Sequence, residues 1–272
     1  MTTTKKNLLL LALITIVSSS TIFAQRTIWT IGTARTVPKG QAEFGILHPM
    51  QVGLTETLEI STQPLLTLAL APNFSLKKRW YVDDLWMIST QHRYSSPTLL
   101  LRAIGSDTTF FKHIPDTVTY PYMFSIGNEG LFTRKLGPEM LITAKIGAGF
   151  GLKFSGASIP YLEQPILYPH SAVFNNKFIW NVGFDLDGNI VRNHNFSADV
   201  DFYSIGLGVD YWAIEHKGYY IYNHSIKFAV LVGYKLSYAS YPSGNHFFIA
   251  PMADLIWKIN AKKEPVKDLF RR

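Results

Sequence analysis

The sequence contains no cysteine. That one absence excludes a disulfide framework, a thiolate metal site and a lipid anchor through an acylated cysteine. Charge is scarce as well: Asp, Glu, Lys and Arg make up 17% of the chain, against about 25% in soluble domains. Beyond the N-terminus, no stretch is long and apolar enough for a membrane helix, which needs about 20 residues. Lys and Arg are scattered, so the formal charge of +7 describes no nucleic-acid-binding face. Aromatic side chains, by contrast, reach 14%. Low charge with abundant Tyr, Phe and Trp suits a protein that shows much of its surface to lipid.

The most informative stretch is Glu139 to Ser155. Met140, Ile142, Ala144, Ile146, Ala148, Phe150, Leu152 and Phe154 are all apolar, while the intervening positions are mostly small or charged. A period of two over about eight pairs is a β-strand. Strands in globular proteins run about 5–6 residues, and a tilted strand crossing a membrane needs about 9–11. One greasy face and one small or charged face over that length predict an all-β, transmembrane antiparallel up-and-down barrel.

The rest of the chain fits that frame. Two lysines before Leu8 to Val17, then Ser18 to Ala24, read as a secretory signal peptide over residues 1–24. Its removal takes two positive charges and leaves +5 of the +7. Residues 25–260 form the barrel and 261–272 a basic tail. Strands are expected from Gln41, over Leu66–Lys77 with a break at Pro72, over Leu85–Tyr94 and Thr98–Ile104, and onward through Tyr220–Tyr238 to Trp257–Ile259. Asp187-Gly188 reads as a hairpin turn. Counting gives ten to twelve strands. With the C-terminus in the periplasm, Ser240–His246 and Asp187–Asn195 become outer loops, and the long Gly156–Ser171 segment falls at the end where turns are normally short.

The run TARTVPKGQAEFGILHPMQVGLTETLEISTQPLLTLALAPNFSLKKRW, Thr33 to Trp80, resembles the opening hairpins of uncharacterised outer-membrane barrels of the Bacteroidota type, with GLTETLEIST similar to their turn into a new strand. The likeness covers some fifty residues and carries no catalytic motif. It implies a Gram-negative outer-membrane location, outer-membrane lipid as surroundings and the barrel-assembly machinery as a partner, but no activity. The basic tail departs from barrels that finish on an aromatic residue.

Candidate chemistry is thin. Asn193-His194-Asn195-Phe196-Ser197 and Asn223-His224-Ser225 are the nearest approaches to a Ser–His–acid site, and neither has a supportive spacing. Asp185-Leu186-Asp187-Gly188-Asn189 lacks the later acidic ligands of a calcium loop. No enzyme, metal or cofactor is expected. Aromatics near strand ends, Trp80, Tyr94, Tyr120, Trp180, Tyr219, Tyr238, Tyr241 and Trp257 among them, suit interfacial girdles. Lys145, Lys153, Lys177, Lys227 and Lys235 fall on the inward parity and are the candidate lumen-lining residues. They either line an anion-favouring pore, making the chain a porin-like channel or transporter, or pair with Glu43, Asp185, Asp199 and Asp201 in a filled, non-conducting structural or adhesion barrel. A secreted soluble lipid-binding barrel is the third reading, and it would turn the faces inside out. On the membrane reading, Ile146→Arg impairs folding and Lys145→Gln leaves it nearly intact.

Overall fold

The computed structural model describes residues 31–105, 120–137, 139–155, 170–208, 211–241 and 244–261. Twelve antiparallel strands close into one barrel in which every strand pairs with its sequence neighbours and β1 with β12. They are β1 (Ala42–Phe44), β2 (Met50–Thr55), β3 (Leu58–Thr62), β4 (Asn73–Val82), β5 (Trp86–Ser95), β6 (Met123–Lys135), β7 (Met140–Lys153), β8 (Phe178–Val191), β9 (His194–Ile205), β10 (Tyr211–Asn223), β11 (Phe228–Tyr241) and β12 (Gly244–Ile259). Among the described residues three short helices lie between strands: α1 (Pro64–Leu68), α2 (Thr98–Gly105) and α3 (Val173–Asn176). The expected all-β up-and-down barrel is the observed one, at the upper end of the strand count.

Alternation sets the two faces. Along β7, Ile146 is 58% and Phe150 53% exposed, whereas Lys145, next to Ile146, is 8% exposed. On β7 the outward row is apolar and the inward row beyond Leu141 is polar, charged or glycine, the reverse of a water-soluble barrel. Aromatic ladders band the outside. Toward one end Phe74, Tyr94, Phe124 and Phe154 follow one another across neighbouring strands at 5.1–6.0 Å between rings. Toward the other, Trp257 lies 5.6 Å from both Phe44 and Phe228. Tyr120 and Tyr241 are inside instead, 1% and 5% exposed, and Tyr219 packs inward beside Ile221 and Ile256.

Connections at one end are all short, 56–57, 83–85, 136–139, 192–193 and 224–227, while the other end holds the long 63–72, 96–122 and 154–177 beside the shorter 45–49, 206–210 and 242–243. The start of β1 and the end of β12 are at the short-turn end. The long 154–177 connection therefore belongs with the long loops, opposite to its expected end. Strand counting went astray at four places. Leu66–Leu70 is not strand: Pro64 opens α1, Leu70 takes φ 62° and Pro72 has no donor for a ladder. Thr98–Ile104 is helical because Leu99-Leu100-Leu101 has no period of two to present to a wall. Tyr220–Tyr238 is a hairpin whose four-residue turn preserves parity, so the alternation runs through it without a visible break. Asp187-Gly188 lies within β8, and the turn falls at Arg192-Asn193, where Asn193 adopts φ 65°. That turn is at the opposite end from 242–243.

Candidate functional site in the lumen

The interior is occupied by the chain's own N-terminal segment. Thr33 to Val37 is buried within the barrel. Its backbone is held by inward side chains of the wall: the Ala34 N–H donates to Thr133 Oγ1 at 2.7 Å and the Val37 N–H to Glu59 Oε2 at 2.8 Å. Lys77 Nζ donates to the Arg35 carbonyl at 3.0 Å. Gly32 fits where other residues do not. Its φ is +76° and a Cβ would stand 2.1 Å from an Asp185 carboxylate oxygen.

Three layers stack along the axis. At the short-turn end, Ala34, Met87, Leu131 and Leu141 form one apolar cluster, and Ile221, Ala229, Leu231 and Ile256 form another that receives Ile31. At the long-loop end Leu101 of α2 and Val173 and Phe174 of α3 pack with Tyr120 and Met123. A second group there joins Ala172, Ile205, Ala213, Ala239 and Tyr241. Between these ends lies a belt of ion pairs. Lys145 Nζ sits 2.6 Å from Asp185 and 2.7 Å from Asp201. Arg93 meets Glu129 at 2.5 Å, Lys217 meets Asp199 at 2.9 Å and Lys235 meets Glu215 at 2.9 Å. Closer to the short-turn end, Lys258 pairs with Glu43 at 3.1 Å and Lys77 approaches Glu59 at 3.5 Å. Burying most of these charges is tolerable only because each has an opposite partner in reach.

The five candidate lysines divide. Lys145 and Lys235 are in the belt, each against carboxylates. Lys153, at the long-loop end of β7, donates to Asn175 Oδ1 at 2.8 Å. Lys177 and Lys227 are not brought to them: both are exposed, Lys177 at the left-handed residue closing α3 and Lys227 in the β10–β11 turn. Sequence reasoning missed Lys77, Arg93, Glu129, Glu215, Lys217 and Lys258. All carry inward parity on their strands, so the charges of every strand, tallied by parity, would have found them.

Two cavities in the belt adjoin one another. One of about 350 Å³ is lined by Lys77, Arg93, Lys145, Asp201, Lys217 and Leu66 of α1, among others. Another of about 230 Å³ lies against Ile31, His48, Asp199, Lys217, Met252 and Asp254. They share Ile31, Gly32, Pro49 and Gln63. The histidine candidates lie elsewhere. His194 is on the outer face, hydrogen-bonded to Tyr220 and 5.1 Å from the Tyr222 ring. Ser197, three residues on, has inward parity, so the wall separates the two. His224 sits in its turn beside Tyr222 and Phe228. Asp185 and Asp187 are strand residues of β8 rather than members of a loop. Among the described residues no group of three His, Asp or Glu side chains is placed to hold a metal ion.

No protein-family model matches the chain, and no curated protein matches it. Among solved structures, the crystal structure of Pseudomonas aeruginosa OccK5 (OpdH) is similar over 80% of this chain at 12% identity and a TM-score of 0.36. The chain spans 57% of that structure's length. A likeness this distant carries no functional argument, and nothing in these comparisons supports a Bacteroidota source.

Proposed function

We propose that this chain is an integral outer-membrane β-barrel and a conduit for small solutes that is closed at rest by its own N-terminal segment. The observation that carries the reading is the two-sided wall: apolar outside, ion-paired inside. Lipid-facing charge at the midplane costs about 2–4 kcal/mol, so an apolar outer row with lysines turned inward is the arrangement a bilayer selects. A soluble lipid-binding barrel needs the opposite. The aromatic bands suit two headgroup levels. Short turns with both barrel termini at one end match the periplasmic side, and the long loops then face outward. Residues 1–24 lie outside the described residues, and a signal peptide there is the export route this reading requires. On the same reading the neighbours are outer-membrane lipid and, through the resemblance of Thr33–Trp80, the assembly machinery.

The anion preference expected of the lysines has no surplus of positive charge behind it. Lys145, Lys217 and Lys235 are each committed to a carboxylate, and inward Asp187 and Asp254 add further negative charge. Small polar or zwitterionic solutes fit this mixed belt better than simple anions do. Planar-bilayer recording tests the proposal. The mature protein should be nearly silent, and deletion of residues 27–36 should open a steady conductance. A barrel that folds yet stays silent in both forms would instead be the filled, non-conducting type. Equal, large conductance in both forms would show that the segment does not close it.

A further inference from the structure

The wall is not of even height. β12 has 16 residues, whereas β1, β2 and β3 have 3, 6 and 5. A tilted strand needs about 9–11 residues to cross the hydrocarbon layer, so these three cover only the short-turn side. β1 pairs with β12 at Trp257–Ile259 alone. Above that point the edge of β12 away from β11 has no partner strand among the described residues. The register fixes which groups line this edge. The Lys258 N–H donates to Lys227, so even-numbered residues bond to β11 and odd-numbered ones point their backbone groups at the gap.

That edge carries two deliberate-looking stops. The Leu255 N–H turns back to its neighbour Asp254 at 2.8 Å. The same carboxylate accepts the N–H groups of Ile46, Leu47 and His48 at 2.8, 3.0 and 2.5 Å. It thereby pins the point where the chain leaves the sheet. Gly45 is required there, since a Cβ would lie 2.7 Å from Asp254 Oδ2. Four residues up, Pro251 stands opposite Tyr234 at an odd position, where its missing N–H faces the gap. Proline at an open edge blocks strand addition. An unpaired edge cannot face acyl chains unless it lines a polar opening. The gap is therefore neither a docking strand nor a continuous wall.

What surrounds it is amphipathic. Outside, Phe247, Ile249, Ile46, Leu68 and Phe74 are all at least half exposed and apolar. Inside, the two belt cavities reach it through Met252 and Asp254 on one flank and Gln63 and Leu66 on the other. Both axial ends, by contrast, hold apolar clusters. We propose that the gap between the β12 edge and the α1–β4 segment is a lateral portal. It admits a single-chain amphiphile from the outer leaflet, its head among the belt side chains and its chain between Ile249 and Phe74. The inference rests on the outward face being lipid-facing and specifies the solute that the conduit takes.

The absence of cysteine makes the test clean. Single variants Met252→Cys, Thr143→Cys and Ile249→Cys would each carry a bimane label in vesicles, with folding checked by heat-shifted migration. Acyl-brominated phospholipid should quench the labels at Ile249 and Met252 and spare Thr143, five strands away on the same interior and outside both cavities. If Ile249 is not quenched, the membrane reading itself fails. If Ile249 is quenched but Met252 answers only to aqueous iodide, the membrane reading stands and the portal is refuted. Dansyl-undecanoic acid should also slow thiol labelling at Met252→Cys and leave Lys227→Cys unaffected. Equal rates at Met252 with and without it would overturn the assigned class of ligand.

Discussion

Lys145 is the side chain on which the lumen's arrangement can be tested most sharply. Its ammonium lies 2.6 Å from Asp185 and 2.7 Å from Asp201, and all three side chains are less than a tenth exposed. At an effective dielectric of about 20, each contact represents about 6 kcal/mol of attraction. Desolvation cancels much of this, but removal of the lysine leaves two carboxylates buried side by side with no cation between them. Loss of one member of a buried pair costs about 3–5 kcal/mol. The structure thus reverses the expectation that Lys145→Gln is nearly silent. Urea titration of the barrel in lipid vesicles, followed by tryptophan fluorescence, should show Lys145→Gln destabilised by about that amount. Adding Asp201→Asn should restore a large part of the loss, because one of the stranded charges goes with it. Unchanged stability in Lys145→Gln, or no recovery in the double variant, would refute the pairing as a structural tie.

The same titration should find Ile146→Arg destabilised by about 2–4 kcal/mol, since the guanidinium must face lipid. Gly183→Ala should lose about 1–3 kcal/mol by overpacking, its new methyl meeting Asp201 Oδ1 at 1.9 Å and the Val200 carbonyl at 2.9 Å. Asp254→Asn should weaken the anchor of the 45–49 turn, lost charge-assisted bonds being worth about 1.5–3 kcal/mol, and should raise the rate of proteolysis within that turn. Burial holds the His170 imidazole down to about 4, below its ordinary 6.5. Protonation therefore favours the unfolded chain. Stability should be complete above pH 6.5 and fall as pH drops toward 4, and His170→Gln should flatten that slope in the same vesicle assay.

How much of this was legible in the sequence follows from what alternation can and cannot report. The facing of β7, β11 and β12 was readable because each residue's parity is locked to one side of the wall. The number of strands was not, because a four-residue turn at His224–Lys227 keeps parity and hides the hairpin. The helices α1 and α2 replaced expected strands where leucines crowd together after proline, a pattern that periodicity alone does not separate from a buried strand. The inward parity of Lys145 and Lys235 was readable because their strands alternate cleanly. Lys217 and Arg93 were overlooked, although Glu215-His216-Lys217 and Gln91-His92-Arg93 carry the same signal among polar neighbours. Nothing local in Thr33–Val37 announces that it threads the lumen. That placement comes from Thr133, Glu59 and Lys77, which are brought to it only when the barrel closes.

The central claim is that the row of Ile146 meets lipid and the row of Lys145 does not. Spin labels at Ile146→Cys and, separately, at Thr143→Cys in the reconstituted protein measure this directly through collisions with oxygen, which concentrates in the bilayer, and with a nickel chelate, which stays in water. The account predicts that oxygen dominates at 146 and that the label at 143 is shielded from lipid. Oxygen dominance at 143, with 146 buried, would mean that the barrel is turned inside out, and the outer-membrane assignment would fall with it.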